Sequence, residues 1–145
     1  LSRLGAELLV RTLPGIAEGT VLPQPQEHGA APLAPMLKKE DGILDFSAPA
    51  RLVSAQARGV DPWPGAAVFL AGEPMKVFGP TLVSGQGAPG EVIGQGAHGL
   101  EVACGQGAIA FAELQLPGRK RMAAAAVLAG RAIPPGTRLL RLPSG

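Results

Sequence analysis

Three consecutive cations, Arg119, Lys120 and Arg121, follow Pro117-Gly118 and precede Met122. Like charges on adjacent residues repel, so such a trio on a turn is better matched by phosphates than by salt bridges. The charge distribution agrees. From Leu114 to the end of the 145 residues stand Arg119, Lys120, Arg121, Arg131, Arg138 and Arg141 with no Asp or Glu, whereas residues 62–113 hold Lys76 against Glu73, Glu91, Glu101 and Glu113. The net charge of +2 thus hides a cationic end, for which a polyanion is the natural partner; arginines that merely solubilise a Gly/Ala/Leu-rich end are the plainer reading. The only aromatics are Phe46, Trp63, Phe69, Phe78 and Phe111. That scarcity disfavours a single-strand reader that stacks bases and favours recognition of structured RNA by shape and backbone.

Catalytic chemistry is thinly represented. The chain has no Asn and no Tyr, and its two histidines fall in a Pro/Gly-rich stretch (His28) and a turn (His98), where nothing rigid orients them as bases. His98 is expected to adopt an unusual backbone angle in a hairpin. Cys104, the single cysteine, excludes an internal disulfide and reads as a buried, inert thiol within an apolar strand. Gly85-Gln86-Gly87 lacks both a strand-to-helix context and a lysine, so it reads as a turn and not a phosphate cradle. No metal-ligand spacing is present. The longest apolar run, Met122 to Ala129, is far too short to cross a membrane.

The elements that must carry these residues emerge from periodicity. Leu1, Leu4, Leu8 and Leu9 recur at helical spacing, and Pro14-Gly15 is expected to stop that amphipathic helix. Pro23, Pro25, Pro32 and Pro35 then mark an extended linker. After the charge cluster of Lys38, Lys39, Glu40 and Asp41, Ser47 is a candidate N-cap for a short helix over Ala50 to Arg58, with Val53 and Ala57 facing inward and Gly59 ending it. Short apolar segments at 66–70, 75–83, 91–93, 100–103 and 109–116, separated by Gly or Pro, predict an antiparallel meander. A helix over 123–129 and a returning strand over 137–140 complete it. The fold class is therefore mainly β: a small OB-like antiparallel β-barrel with short helices, preceded by a helix and an extended linker. Two prolines fix the backbone around Trp63, which is expected to wedge the 50–58 helix onto this barrel.

Several blocks occur in one order: Pro23-Gln24-Pro25-Gln26, Ala34-Pro35, Lys39-Glu40-Asp41-Gly42, Ile43, Asp45, Phe46, Arg58-Gly59, Pro62-Trp63-Pro64-Gly65-Ala66, and Leu114-Gln115 with Gly118, Lys120 and Met122. Together they closely resemble the C-terminal part of the methionyl-tRNA formyltransferase family, along the whole chain. The resemblance implies an enzyme that moves a formyl group from 10-formyltetrahydrofolate to the amino group of methionine on initiator tRNA. It also implies that the catalytic Asn, His and Asp of a Rossmann-like domain lie upstream, since this chain has no Asn. Residues 1–20 then resemble the last helix of that domain, 21–39 the linker and 40–145 the C-terminal barrel. The chain, which starts at Leu1 rather than Met, is expected to be a piece of a longer protein, inactive alone, with no cofactor of its own.

Carried over by position, Lys39 matches a linker lysine near the tRNA path, and Arg119 and Lys120 match the basic pair after the Leu-Gln strand. Met36 stands where many members have Lys, with Lys38 as its substitute. The RNA-binding set expected is Lys38, Lys39, Arg119, Lys120, Arg121 and Arg131. The partner implied is initiator methionyl-tRNA, for a cytoplasmic monomer with no membrane and no metal. The runner-up readings are the similar module of formyltransferases acting on sugar nucleotides or folate, and a non-catalytic barrel that contacts proteins.

Overall fold

A computed structural model describes residues 1–141; the last four residues of the 40–145 barrel range lie outside the described residues. The chain divides into two units, Leu1–Pro35 and Met36–Gly145. In the first, helix α1 spans Ser2–Ala17 and buries none of its residues, so its stripe of Leu4, Leu8, Leu13 and Ile16 is exposed. Pro14 does not stop this helix. A proline removes one N–H and crowds the preceding turn, but the Pro14 carbonyl still accepts from Glu18 N–H at 2.9 Å. The stop is Gly19, left-handed at φ 70°, where Gly19 N–H donates to Ile16 O (3.1 Å) and Thr20 N–H to Gly15 O (2.8 Å). That pair of bonds is a Schellman closure, which needs a residue tolerant of positive φ.

The second unit is a β meander. Strands β1 (Ala67–Leu70), β2 (Glu73–Val83), β3 (Val92–Gly96), β4 (Gly99–Ala103), β5 (Ala108–Gln115), β6 (Met122–Ala123) and β7 (Leu139–Leu140) form one sheet in the order β3-β4-β5-β2-β1-β7, with β6 added to β5. All pairings are antiparallel. The two edge strands meet without a full ladder: Val92 N–H donates to Thr137 O, Gly136 N–H to Val92 O and Leu139 N–H to Gly90 O, each at 2.8 Å. The sheet is therefore barrel-like and not continuously closed. Its interior is filled by Val68, Met75, Val77, Leu100, Val102, Ile109, Phe111 and Leu114, all essentially inaccessible, and Phe46 meets Phe111 edge to face at 6.4 Å. Helices α2 (Ala50–Gly59), through Val53 and Ala57, and α3 (Ala124–Gly130), through Ala124 and Val127, cover this core.

The segments expected as strands all contribute strands, and four local readings are corrected. Ser47 does not cap α2; its N–H and hydroxyl both donate to Asp45 Oδ1 (3.0 and 2.6 Å), while the helix-opening Ala50 N–H is satisfied by Gln106 O at 2.9 Å. The positive backbone angle of the β3–β4 hairpin belongs to Gly99 (φ 109°), not His98, because Gly96 pairs with Gly99 and leaves Ala97-His98 as the two-residue turn. Cys104 lies just past β4, where its N–H donates to Gly107 O, and is buried as expected; burial pushes its thiol up to about 11. Trp63 is no wedge. It is 58% exposed, because Pro64, Gly65 and Ala66 take the buried positions behind it.

Candidate nucleic-acid interface

Two cationic clusters emerge, built in different ways. The first is local. After β5, Arg119 N–H donates to Leu116 O (3.0 Å), the Gln115 amide donates to Arg119 O (2.9 Å), and Gly118 takes a positive φ of 65°. The chain then returns as β6, whose Met122 pairs with Leu114 and Ala123 with Glu113. This hairpin projects exposed Arg119 and Lys120 beside α3, and with Leu116, Met122, Val127 and Arg131 they line a groove of about 340 Å³.

The trio of cations is not a set of equals. Arg121 is engaged: its Nε and Nη2 donate to Glu113 Oε2 (2.8 and 2.5 Å), its Nη1 lies 3.5 Å from Asp61, and its guanidinium stacks 4.0 Å from the Phe78 ring centroid. The expectation of an unpaired trio fails at this residue because Glu113, eight residues earlier on β5, faces it across the hairpin. Arg131 reaches Glu73 at 3.2 Å and Arg141 reaches Asp45 at 3.0 Å. Among the described residues, Arg119 and Lys120 have no carboxylate within salt-bridge distance, and they sit on the turn where a phosphate can approach.

The second cluster is assembled by the fold. The 3-10 turn Lys39–Gly42 begins where Asp41 Oδ2 accepts from Lys38 N–H (2.6 Å). The Gln56 amide of α2 pins it by donating to Asp41 O (2.9 Å) and Ile43 O (3.1 Å), and Leu44 N–H donates to Ala67 O at 3.0 Å. Gly42 is buried against the Gly65 carbonyl, so close that a Cβ there would overlap it. This contact sets Lys39 beside Trp63. Lys76 of β2 completes the rim, its Nζ donating to Pro64 O at 2.9 Å. Lys39, Trp63, Lys76, Phe69 and Pro74 line an open groove of about 410 Å³, with Glu40 its one acidic wall.

The two clusters share one face of the sheet. Lys76 is the cross-strand partner of Gln115, whose amide holds the 119 turn, and Phe78, under Arg121, is the partner of Glu113. Directly paired residues project to the same side, with strands about 5 Å apart. Lys39, through the groove it shares with Lys76, and Arg119, through the turn held by Gln115, thus flank the Lys76–Gln115 pair. Neither Lys76 nor the exposure of Trp63 is anticipated from the sequence. The alternation Pro74-Lys76-Phe78, with Met75 and Val77 between them, is the available signal for Lys76. His98 lines a separate open groove with Thr81, Gln95 and Ala112 and no Asp or Glu.

The model of the family described as formyl transferase, C-terminal domain, matches residues 36–132. The chain belongs to this family. It is 48% identical over 136 residues to the methionyl-tRNA formyltransferase of Citrifermentans bemidjiense, covering 94% of this chain and 43% of that protein. Against the methionyl-tRNA formyltransferase of Geobacter sulfurreducens it is 44% identical over 139 residues, covering 96% and 44%. The chain therefore spans less than half the length of these relatives and corresponds to their C-terminal part. Among solved structures, HypX from Aquifex aeolicus in complex with tetrahydrofolic acid matches with a TM-score of 0.64 at 20% identity over 88% of this chain and 23% of that one. At that identity the likeness concerns the fold.

Proposed function

We propose that this chain is the tRNA-holding C-terminal part of a methionyl-tRNA formyltransferase, acting in translation initiation in the cytoplasm as part of a monomeric enzyme. In this reading residues 1–20 are the last helix of the catalytic domain, 21–39 the linker and 40–145 the barrel. The exposed apolar stripe of α1 supports the first assignment, since a helix with such a stripe needs a surface to cover it. Formyl transfer from 10-formyltetrahydrofolate to methionyl initiator tRNA belongs upstream. No chemical step is assigned here: the two clusters offer lysines, arginines and apolar walls, and the chain holds no Asn to join a His and an Asp.

The observation that carries the proposal is the pair of clusters on one sheet face, with Arg119 and Lys120 projecting from the turn held by Gln115 and Lys39 beside Lys76, the strand partner of Gln115. Such a face neutralises phosphates and orients a structured RNA without reading its sequence. Arg121 serves by bracing the hairpin, and Arg131 by walling the groove. Identity of 40–48% to proteins named methionyl-tRNA formyltransferase supports the tRNA enzyme over a formyltransferase acting on another substrate. The test is binding of initiator tRNA at several salt concentrations. Affinity should fall by about 0.7 to 0.9 log units per log unit of salt for each phosphate contact. Lys120→Ala should cost on the order of 1 kcal/mol and flatten the slope. Salt-independent binding, or full affinity in Lys120→Ala, would refute the assignment.

A further inference from the structure

We infer that the groove between Lys39, Trp63 and Lys76 receives an unpaired nucleotide of the bound RNA, with its base stacked on the Trp63 indole and its phosphate held by the two lysines. This rests on the RNA-holding reading and adds a second mode of recognition to it. Trp63 offers more than half its surface to solvent, yet its backbone is fixed, because Gly65 N–H donates to Val60 O at 2.8 Å and Pro64 is buried. A large aromatic on a fixed backbone in the open is a platform that has only its two side-chain torsions left to order. Beside it Ile43, Phe69 and Pro74 give apolar walls, and about 410 Å³ lies within the range of small-ligand sites, roughly 300 to 1,000 Å³.

The rim decides the class of occupant. Lys39 and Lys76 outnumber Glu40, so a cationic or methylated-lysine ligand is disfavoured and an anion favoured. Lys76 uses one N–H on Pro64 O and keeps two for an incoming phosphate. A flat π-face joined to a phosphate satisfies both the indole and the ammonium groups, and every base supplies that face. In a duplex those faces are covered by neighbouring pairs, so the nucleotide must be unpaired.

Trp63 is the only tryptophan, so its emission reports the groove directly. Titrating the chain with a short single-stranded RNA should quench it saturably, whereas a blunt RNA duplex should bind through the cations and leave emission unchanged. Anisotropy of the labelled single strand should show about a tenfold loss of affinity in Trp63→Leu, and much less in Trp63→Phe, which keeps a stacking ring. Because the side chain is exposed, both variants should melt like the parent; should Trp63→Leu melt early, the parent's quenching contrast and Trp63→Phe still decide. Equal quenching by duplex and single strand overturns the inference, as does undiminished single-strand binding in Trp63→Leu. If that happens while Lys120→Ala still weakens tRNA binding, the groove assignment falls and the tRNA-holding role stands. If initiator tRNA does not bind the parent chain at all, both fall. Quenching by an apolar peptide and by no RNA would place a protein in the groove and refute the nucleotide.

Discussion

The 117–120 turn and the groove around Trp63 present cations on the same sheet face, but the first is contiguous in sequence and the second comes from residues 39, 63 and 76. The turn needs only a hairpin, a left-handed Gly118 and the Gln115 amide to hold Arg119 and Lys120 outward. The groove needs α2, the Lys39–Gly42 turn, the Trp63 loop and β2 to meet within a few ångströms. The turn should therefore tolerate damage to the fold's periphery, while the groove should fail when any one support moves. Aromatic walls add a second difference: the groove can stack a base on Trp63, whereas the walls beside the turn are the aliphatic Leu116, Met122 and Val127.

Breaking the groove alone is the sharpest way to separate the two, and the largest effect is expected from Gly42→Ala. The new Cβ meets the Gly65 backbone carbonyl, which cannot rotate away as a side chain would. Overpacking of this kind costs roughly 1 to 3 kcal/mol, and a domain this size loses several degrees of Tm per kcal/mol. A thermal melt should show that drop, and Trp63 emission should shift as its loop is displaced. An unchanged Tm would mean that the turn and the loop part without penalty.

The converse variant removes charge from the 119 turn. In Arg119→Ala/Lys120→Ala the melt should match the parent, since exposed turn side chains contribute little to stability. Binding of initiator tRNA should weaken by about 2 kcal/mol, on the order of 1 for each charge-assisted contact. A stability loss that accounts for the binding loss would remove the distinction between the turn and its bracing.

Arg121 tests that bracing from the other side, one residue away in sequence. Its partners are Glu113, Asp61 and Phe78, all on the second unit. Half-exposed ion pairs and a stack of a partly exposed guanidinium on the buried Phe78 ring contribute modestly, so Arg121→Ala should lower stability by up to about 1 kcal/mol and change tRNA affinity less than Lys120→Ala does. Binding losses equal to those of Lys120→Ala would restore all three cations to the phosphate track.

Arg121 also shows where sequence stops being informative. The strands are legible because Met75, Val77, Val102, Ile109 and Phe111 announce buried positions by type and alternation. The basic turn is legible because its members are neighbours. The pairing of Arg121 with Glu113 is not, since a two-residue strand, β6, folds back to bring them together and two residues carry no periodicity. Trp63 misleads by its type, for a large aromatic between prolines is usually buried, and only the fold reveals that Pro64 occupies the interior instead. Ser47 and Pro14 mislead for a similar reason: Asp45 competes for the hydroxyl, and the helix tolerates the loss of one N–H.

The smallest effect belongs to the far end of the charged tail, where Arg141 meets Asp45. The Asp45 carboxyl is held below its ordinary range first by the Ser47 hydroxyl, then by the Ser47 N–H, with Arg141 a lesser contributor and partial burial opposing them. A carboxyl lowered in the folded state stabilises the fold above its unfolded titration range, and that stabilisation is lost as pH falls through the depressed folded value. Any contribution from Asp45 is therefore present at neutral pH and disappears below the usual carboxylate range. Because Ser47 outweighs Arg141, NMR titration of Asp45 should move upward more in Ser47→Ala than in Arg141→Ala. Neither should alter tRNA affinity as Lys120→Ala does, since Arg141 is already satisfied by a carboxylate and its pair is exposed. A larger titration shift in Arg141→Ala than in Ser47→Ala would reverse the order of these contacts. A tRNA loss in Arg141→Ala matching that of Lys120→Ala would extend the phosphate track past the turn to the end of the described chain.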